Sequence, residues 1–398
     1  MTKVFTKDFT LQEAIPEESI ENAIAVMRSG KLHRYNVAEG EKGETALLEE
    51  EFAQYIGKKY CLACSSCGAA LYLALKGLGV AAGDKVLCNA YTLAPVPGAI
   101  ENAGAKIELV EITDDYTIDL KDLERKAADS KSKWFMLSHM RGHIANMDRI
   151  MEICRKYDLK LIEDCAHTMG GTWDGIKSGS LGHVACYSSQ TYKHINSGEG
   201  GLLVTDDEQL IARAIIHSGS YMLYEKHTAR PDMEVFESIK KMVPNYSSRM
   251  DNLRAAILRP QIRTLDAQCE RWNTLYSAFE SGLSNIDGLS CPTRDPREYY
   301  VGSSIQFSIP SASGDQIQKF LSENEKRGVQ IKWFGSVEPV GFTSAYHSWR
   351  YFGALPELPE TNRILATTFD IRVPLTFNTD DCALITEIIR EVYTKIFG

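Results

Sequence analysis

The sequence predicts an α/β fold: a three-layer sandwich on a mostly parallel sheet, followed by a smaller C-terminal α+β unit. Three observations carry that expectation. From Tyr60 to His217 short apolar runs alternate with amphipathic helical stretches, the pattern of strands covered on both faces by helices. A long helical stretch, Asp251 to Ser281, then interrupts the alternation, and beyond it strands and helices regroup. A chain of 398 residues is long for one simple core. We therefore expect a large α/β domain over 1–250, a linker helix over 251–282 and a small domain over 283–398.

In chain order, Ile20, Ile24 and Met27 recur at helical spacing, and Gly30 supplies a stop. Residues 31–43 are polar and glycine-punctuated, a loop. Thr45 to Ile56 reads as an amphipathic helix. Tyr60 to Cys64 is a short strand running through Ser65-Ser-Cys-Gly-Ala69 into another helix. Strands follow at Lys85–Cys88, Ala105–Val110, Trp134–Ser138, Lys160–Asp164, Val184–Ser188 and Gly201–Thr205. Helices between and after them are expected at Pro97–Asn102, Leu120–Ala128, Asp148–Tyr157 and Glu208–His217. The stretch 221–247 is irregular and charged, an excursion over the surface. Leu253, Ile257, Ile262, Leu265, Trp272, Leu275 and Phe279 give the long helix an apolar face, with Pro260 as an expected kink. Val301–Ile309 and Gly328–Trp333 then read as strands, and Ile317–Asn324 and Cys382–Phe397 as helices.

Composition narrows the function classes. The net charge of −9, with no basic stripe, argues against nucleic-acid binding, which needs clustered Lys and Arg. No apolar run approaches the ~18 residues of a membrane span, and the first residues carry no secretory apolar core. A cytoplasmic protein with reduced thiols is the expectation, since the ten cysteines are scattered through apolar segments. Cys61, Cys64 and Cys67 do form C-x-x-C-x-x-C, but no fourth ligand follows and the run continues into a helix. We expect no metal there.

The chemistry-bearing stretch is Ala185 to Gly201. Lys193 follows an apolar-to-hydroxyl strand and precedes a glycine-rich turn into another strand. An amine there faces a cleft at the sheet's end, where burial or a neighbouring cation frees it as a nucleophile. Ligands of such sheets gather at the carboxyl ends of the strands. Asp164, Ser188 and the Ser65–Ala69 turn are expected there too. That turn offers hydroxyls and free N–H groups at a helix start, a seat for phosphate or a simple cap. Together the four features fit pyridoxal phosphate, with Lys193 as Schiff-base former and Asp164 keeping the pyridine nitrogen protonated. Asp164 taken alone also suits a magnesium ligand or a helix cap.

At this point the chain resembles the sugar aminotransferases of the DegT type, fold-type I pyridoxal-phosphate enzymes that make amino sugars and aminocyclitols. The segments that carry the resemblance are Leu48-Glu-Glu-Glu-Phe, Cys64-Ser-Ser-Cys-Gly-Ala-Ala-Leu, Lys160-Leu-Ile-Glu-Asp-Cys-Ala-His167 and Gly179-Ser-Leu-Gly. Tyr187-Ser188 with Lys193, Gly198-Glu-Gly-Gly with Val204-Thr-Asp, and Arg249-Met with Leu253 complete it. The resemblance implies Lys193 as Schiff-base lysine and general acid/base, Asp164 on the pyridine nitrogen and Ser188 on phosphate. His167 stands where the family usually has glutamine, reaching toward the ring hydroxyl; packing or a helix cap is its other reading. It also implies a ping-pong transamination from glutamate or glutamine to a keto or aldehyde group of a sugar-like acceptor, in a homodimer whose sites straddle the interface. The acceptor is a nucleotide sugar, a higher sugar, a cyclitol or a non-sugar aldehyde. A dehydratase is the less favoured alternative, because the related dehydratases replace this lysine with histidine.

Four departures stand out. Cys67-Gly68 replace the family's Gly-Thr in the phosphate turn, which keeps the backbone donors and loses a hydroxyl. Leu93 falls where an aromatic stacks on the ring, and Tyr91, two residues earlier on the expected strand face, is the substitute. Ser247 occupies the place of a partner-subunit asparagine, a role Asn245 fills only with a bulge. Ser-Gln-Thr-Tyr replaces Phe-Phe-Pro-Thr before the lysine. Arg141, where the family has a neutral residue, can read an acidic substrate group, but a structural ion pair is the expected role.

Overall fold

A computed structural model describes residues 3–338 and 345–398. Two helices open the fold, α1 (Glu17–Ser29) and α2 (Glu44–Ile56), each closed by a left-handed glycine, Gly30 and Gly57. Alternating strands and helices follow: β1 (Tyr60–Cys64), α3 (Cys67–Leu78), β2 (Lys85–Asn89), α4 (Pro95–Asn102), β3 (Lys106–Val110), α5 (Leu120–Ser130), β4 (Trp134–Ser138), α6 (Met147–Tyr157) and β5 (Lys160–Asp164). A small ribbon, β6 (Thr172–Trp173) and β7 (Ile176–Lys177), separates these from β8 (Val184–Ser188), β9 (Gly201–Thr205) and α7 (Glu208–Ile215).

Seven of these strands form one sheet in the order β1-β9-β8-β5-β4-β2-β3. From β8 to β3 all neighbours are parallel, whereas β9 runs antiparallel to both β1 and β8. This polarity positions the site. The carboxyl ends of β1, β4, β5 and β8 and the start of β9 all lie on one edge of the sheet. Apolar side chains fill both faces: Cys61, Ala63, Tyr187 and Leu202 on one, Leu62, Cys64, Cys186 and Leu203 on the other. The alternation of a strand therefore puts Cys61 and Cys64 on opposite faces, so the C-x-x-C-x-x-C run cannot converge on one ion.

The excursion beyond α7 contains one further helix, α8 (Met233–Ile239), that its charged composition concealed. The long helix is α9 (Asn252–Ser284), continuous through Pro260 and packed against α1 and α2. Beyond it lie β10 (Glu298–Tyr299), β11 (Ser304–Ser308), α10 (Gly314–Glu325), β12 (Lys332–Trp333), α11 (Pro359–Leu365), β13 (Thr368–Arg372) and α12 (Thr379–Phe397). β10 extends the β6–β7 ribbon, and β11-β13-β12 make a second antiparallel sheet. The expected strand over Gly328–Trp333 shrinks to its last two residues. Its neighbour β13 was not expected: Phe369 and Ile371 alternate with Asp370 and Arg372, which disguises a buried strand as a polar loop.

A buried ionic knot ties the N-terminal segment to the main sheet. Glu49 is fully enclosed and accepts from Arg34 Nη1 at 2.8 Å and Nη2 at 2.9 Å, and from the Ala63 N–H at 2.8 Å. His227 joins through Arg34 and the Tyr35 hydroxyl. Burial alone would raise the Glu49 carboxyl, but Arg34 and His227 hold it at about 2, below its ordinary 4.5. Burial, with Arg34 beside it, drives His227 from 6.5 to about 4. Both groups bind fewer protons folded than unfolded, so each withdraws stability as pH falls, His227 between 6.5 and 4 and Glu49 between 4.5 and 2. Glu49→Gln leaves Arg34 buried without its counter-charge. Urea unfolding at pH 7 is expected to show a loss of about 3–5 kcal/mol, and the loss of stability as pH falls below 4.5 should be shallower than in wild type by the share Glu49 supplies.

Candidate active site

Four expected site features, the residues Asp164, Ser188 and Lys193 and the 65–68 turn, meet at the shared sheet edge. Cys64 and Ser188 both pair with Gly201, the first residue of β9. The turn and Ser188 therefore flank one strand start. A side chain on Gly201 would collide with the backbone of Ser66 and Cys67, so glycine is what allows the turn to lie against the strand. Ser66 caps α3, its hydroxyl accepting from the Ala69 N–H at 3.1 Å and its carbonyl from Ala70 at 3.0 Å. The Cys67 and Gly68 amides come before any intrahelical acceptor. A Cβ at Gly68 would touch Pro95 and Ser66 Oγ at an ordinary 3.8 Å, so this glycine leaves modest room in front of the helix start. This is an anion cradle in the sense of helix-start phosphate sites.

Asp164 ends β5 and is buried. Ser138, beside it in register on β4, donates its hydroxyl to Oδ2 at 2.8 Å, and the Ala166 N–H reaches Oδ1 at 3.1 Å. Burial raises its carboxyl above the ordinary range against these hydrogen bonds and the pull of Lys193, so a cation facing it is strongly favoured. The Cys67 thiol lies 3.9 Å from Oδ1; burial and Asp164 push its pKa well up, and it stays a neutral donor.

Lys193 sits in the loop between β8 and β9 with its amine 2.7 Å from His167 Nε2. The Arg141 N–H reaches the other ring nitrogen, Nδ1, at 3.3 Å. An Nδ1 that accepts leaves the hydrogen of a neutral imidazole on Nε2, and burial keeps His167 neutral, well below its ordinary pKa. Nε2–H then donates to the Lys193 lone pair, which exists only on an uncharged amine. Burial first and Arg141 second bring Lys193 from 10.5 to about 8. The lowered pKa makes the uncharged, nucleophilic form far more accessible than for an ordinary lysine. Arg141 achieves this contact from a left-handed backbone, φ 57°, a conformation that costs a non-glycine residue roughly 1 kcal/mol or more.

Tyr91 does not sit where it was expected. Its ring is wholly buried and packs in a T-shaped pair with Phe334 at 5.1 Å and near Tyr116 at 6.1 Å. β2 ends at Asn89, so strand parity no longer relates residues 91 and 93; Leu93 keeps part of its surface open. Ser188 is buried at the end of β8 and its hydroxyl accepts from Gln190 N–H at 3.3 Å. Asn245 and Ser247 are exposed, bonded within their own chain to Tyr221 N–H and Arg249. Their segment lies beside the phosphate turn, since Ser65 N–H donates to Ser248 O at 2.8 Å. Residues that the sequence did not single out are Ser138, Asp370 and Arg372. Arg141 does form an ion pair, with Asp370 at 2.7 Å. Among the described residues one buried trio has metal-ligand proximity, His139, Glu163 and Cys165, but Glu163 is already occupied by the Gly179 and Gly182 amides.

A sheet edge that gathers helix-start amides, a buried carboxylate and a lysine amine whose pKa is lowered to about 8 fits pyridoxal phosphate, and together with the family match it defines a transaminase dependent on that cofactor. The chain belongs to the DegT/DnrJ/EryC1/StrS aminotransferase family, whose model matches residues 13–390. It is 28% identical over 357 residues to dTDP-3-amino-3,4,6-trideoxy-alpha-D-glucose transaminase of Micromonospora megalomicea subsp. nigra, covering 88% of this chain and 89% of that one. It is 32% identical over 249 residues to a putative L-glutamine:3-amino-2,3-dideoxy-scyllo-inosose aminotransferase of Micromonospora echinospora, covering 62% and 57%. In fold it is similar to the E. coli GDP-4-keto-6-deoxy-D-mannose-3-dehydratase with bound hydrated PLP, with TM-score 0.82, 20% identity and coverage of 97% and 100%. No helix among the described residues is long and apolar enough to cross a membrane.

Proposed function

We propose that this enzyme transfers the amino group of glutamate or glutamine to a keto or aldehyde carbon of a sugar-like acceptor, working as a cytoplasmic homodimer. The observation that carries the reading is the Lys193 amine held 2.7 Å from His167 Nε2 at the sheet edge shared with Asp164. When bound, pyridoxal phosphate supplies an aldehyde that captures amines and a ring that withdraws electrons. The Cys67 and Gly68 amides and Ser188 would hold the phosphate, and Asp164 the ring nitrogen. Lys193 Nζ would act as the base that takes the proton from the donor's α-carbon. His167 orients that amine, and the buried walls keep bulk water from competing for the proton. Asn245 or Ser247 would complete the partner's phosphate site. A dehydratase, as in the similar E. coli fold, is the second reading; the lysine favours transamination.

The test is a half-reaction. Loaded enzyme mixed separately with L-glutamate and L-glutamine should lose its visible absorbance and release one 2-oxo acid per site with at least one of them. Bleaching by neither donor would overturn the reading. Lys193 also makes a pH statement. Cofactor uptake by cofactor-free protein should accelerate with pH and level off above about 8, not above 10.5, because only the uncharged amine attacks. Stopped-flow uptake across pH 6–11 measures the inflection.

A further inference from the structure

The turn after β4 is held from the C-terminal sheet at two points, and one of its residues reaches Lys193 through His167. Arg141 passes through a left-handed conformation and aims its own N–H at His167 Nδ1, 3.3 Å away. Its side chain reaches β13, where Nη2 donates to Asp370 Oδ2 at 2.7 Å, both side chains nearly closed to solvent. Two residues on, His143 is buried and bonded through Nε2 to Gln306 Oε1 at 2.6 Å. Gln306 sits opposite Asp370 in register on β11 and donates from Nε2 to Asp370 Oδ1 at 2.7 Å. Asp370 therefore anchors both ends of the stretch from Arg141 to His143.

The donors in this network leave little choice. An ionised carboxylate only accepts, so the Gln306 amide turns its nitrogen to Asp370 and its oxygen to His143. His143, kept neutral and well below its ordinary pKa chiefly by burial, then carries its hydrogen on Nε2. On the other side the Arg141 N–H only donates, so His167 Nδ1 accepts and Nε2–H faces the Lys193 amine at 2.7 Å. One carboxylate on the C-terminal sheet is thus linked by successive hydrogen bonds to the amine at the main sheet edge.

We propose, resting on the transaminase reading, that Asp370 is a positioning residue: through Arg141 it holds the Arg141 N–H on His167 and so keeps the Nε2 hydrogen of His167 directed at Lys193. A strained left-handed backbone persists only while its surroundings over-determine it. Without the Asp370 charge the Arg141 N–H leaves Nδ1, and the ring is free to move its hydrogen away from the amine. Lys193 then loses a contact that exists only with its uncharged form. The groups facing the amine are Asp164 and His167 at the end of β5, Cys67 before α3, Arg141 after β4 and Arg372 on β13. Removal of the Asp370 charge, acting through space alone, would leave Arg141 less compensated and favour the uncharged amine further. The positioning effect and the simple charge effect therefore have opposite signs at Lys193.

The test is the pH dependence of pyridoxal phosphate uptake by the full chain after cofactor removal, in wild type, Asp370→Asn, His167→Gln and the double variant. In Asp370→Asn the inflection should rise from about 8 by about 0.5–1 pH unit, the worth of one ordinary hydrogen bond. Glutamine at 167 offers an amide near the Nε2 position and no acceptor at Nδ1, so it already cuts the link to Arg141. Adding Asp370→Asn to it should cause a smaller rise or none. An inflection that falls or stays in Asp370→Asn, or that rises as much in the His167→Gln background, overturns the proposal. Wild type that takes up no pyridoxal phosphate overturns the transaminase reading and the proposal with it, whereas normal wild-type uptake with the wrong response in Asp370→Asn overturns the proposal alone. Should Asp370→Asn not fold, Arg141→Lys, which keeps a cation opposite Asp370 and loses the planar fork, should also raise the inflection, and no rise there is equally decisive against it.

Discussion

Replacing Lys193 by alanine is expected to cut transamination by roughly 10⁴-fold, the upper range for a positioned proton carrier, and to leave the fold intact. The loss has two sources. On the proposed mechanism the side chain would supply the amine that holds the cofactor, and the same atom would move the proton at the donor's α-carbon. No neighbour replaces it. His167 is held neutral by burial, with Lys193 and Arg141 as further causes, and its Nδ1 is engaged by the Arg141 amide. Binding of the cofactor should survive in part, because the phosphate cradle at Cys67 and Gly68 and the carboxylate at Asp164 do not depend on residue 193. The measurements are a steady-state assay, the visible spectrum and equilibrium dialysis of the cofactor. Near-normal turnover in the variant would remove Lys193 from the chemistry.

The parts of this site that the sequence made legible are those whose signal is local. Asp164, Ser188 and the 65–68 turn each sit at the end of a short apolar run, where a strand must stop and a polar residue must face the edge, and Lys193 follows in the loop after Ser188. Their convergence then follows from sheet polarity. Residues brought in by pairing across long separations left no such mark. Ser138 reaches Asp164 only because β4 and β5 are neighbours in register. Arg141 meets Asp370 across 229 residues, and Arg372 ends β13, a largely buried strand whose alternating polar residues disguised it. Tyr91 fails for a related reason. Counting by twos along a strand places a side chain only while the strand lasts, and β2 stops at Asn89. The three spaced cysteines fail in the opposite direction: the motif is real in sequence, but strand alternation turns Cys61 and Cys64 away from each other.

Asp164→Asn is expected to lower turnover by roughly 10²–10³-fold, the scale of removing one preorganised electrostatic partner, with little change in melting temperature. The asparagine is isosteric, and its amide oxygen can still accept from Ser138 Oγ or the Ala166 N–H, which hold the carboxylate at 2.8 and 3.1 Å. What it lacks is charge. Asp164 is buried and its carboxyl is pushed above the ordinary range by desolvation, so an isolated anion there is strained until a cation faces it. A protonated ring nitrogen of bound pyridoxal phosphate would be that cation, and the pair would keep the ring electron-poor. The neutral amide cannot hold that proton. Proton removal at the α-carbon should then become more strongly rate-limiting, which a larger primary isotope effect with α-deuterated donor would reveal. Ser138→Ala, acting through Asp164, should show a smaller loss of the same kind, since it frees one carboxylate oxygen without removing the charge. An Asp164→Asn enzyme within tenfold of wild type, or one whose isotope effect is unchanged, would show that the carboxylate does not face the ring nitrogen.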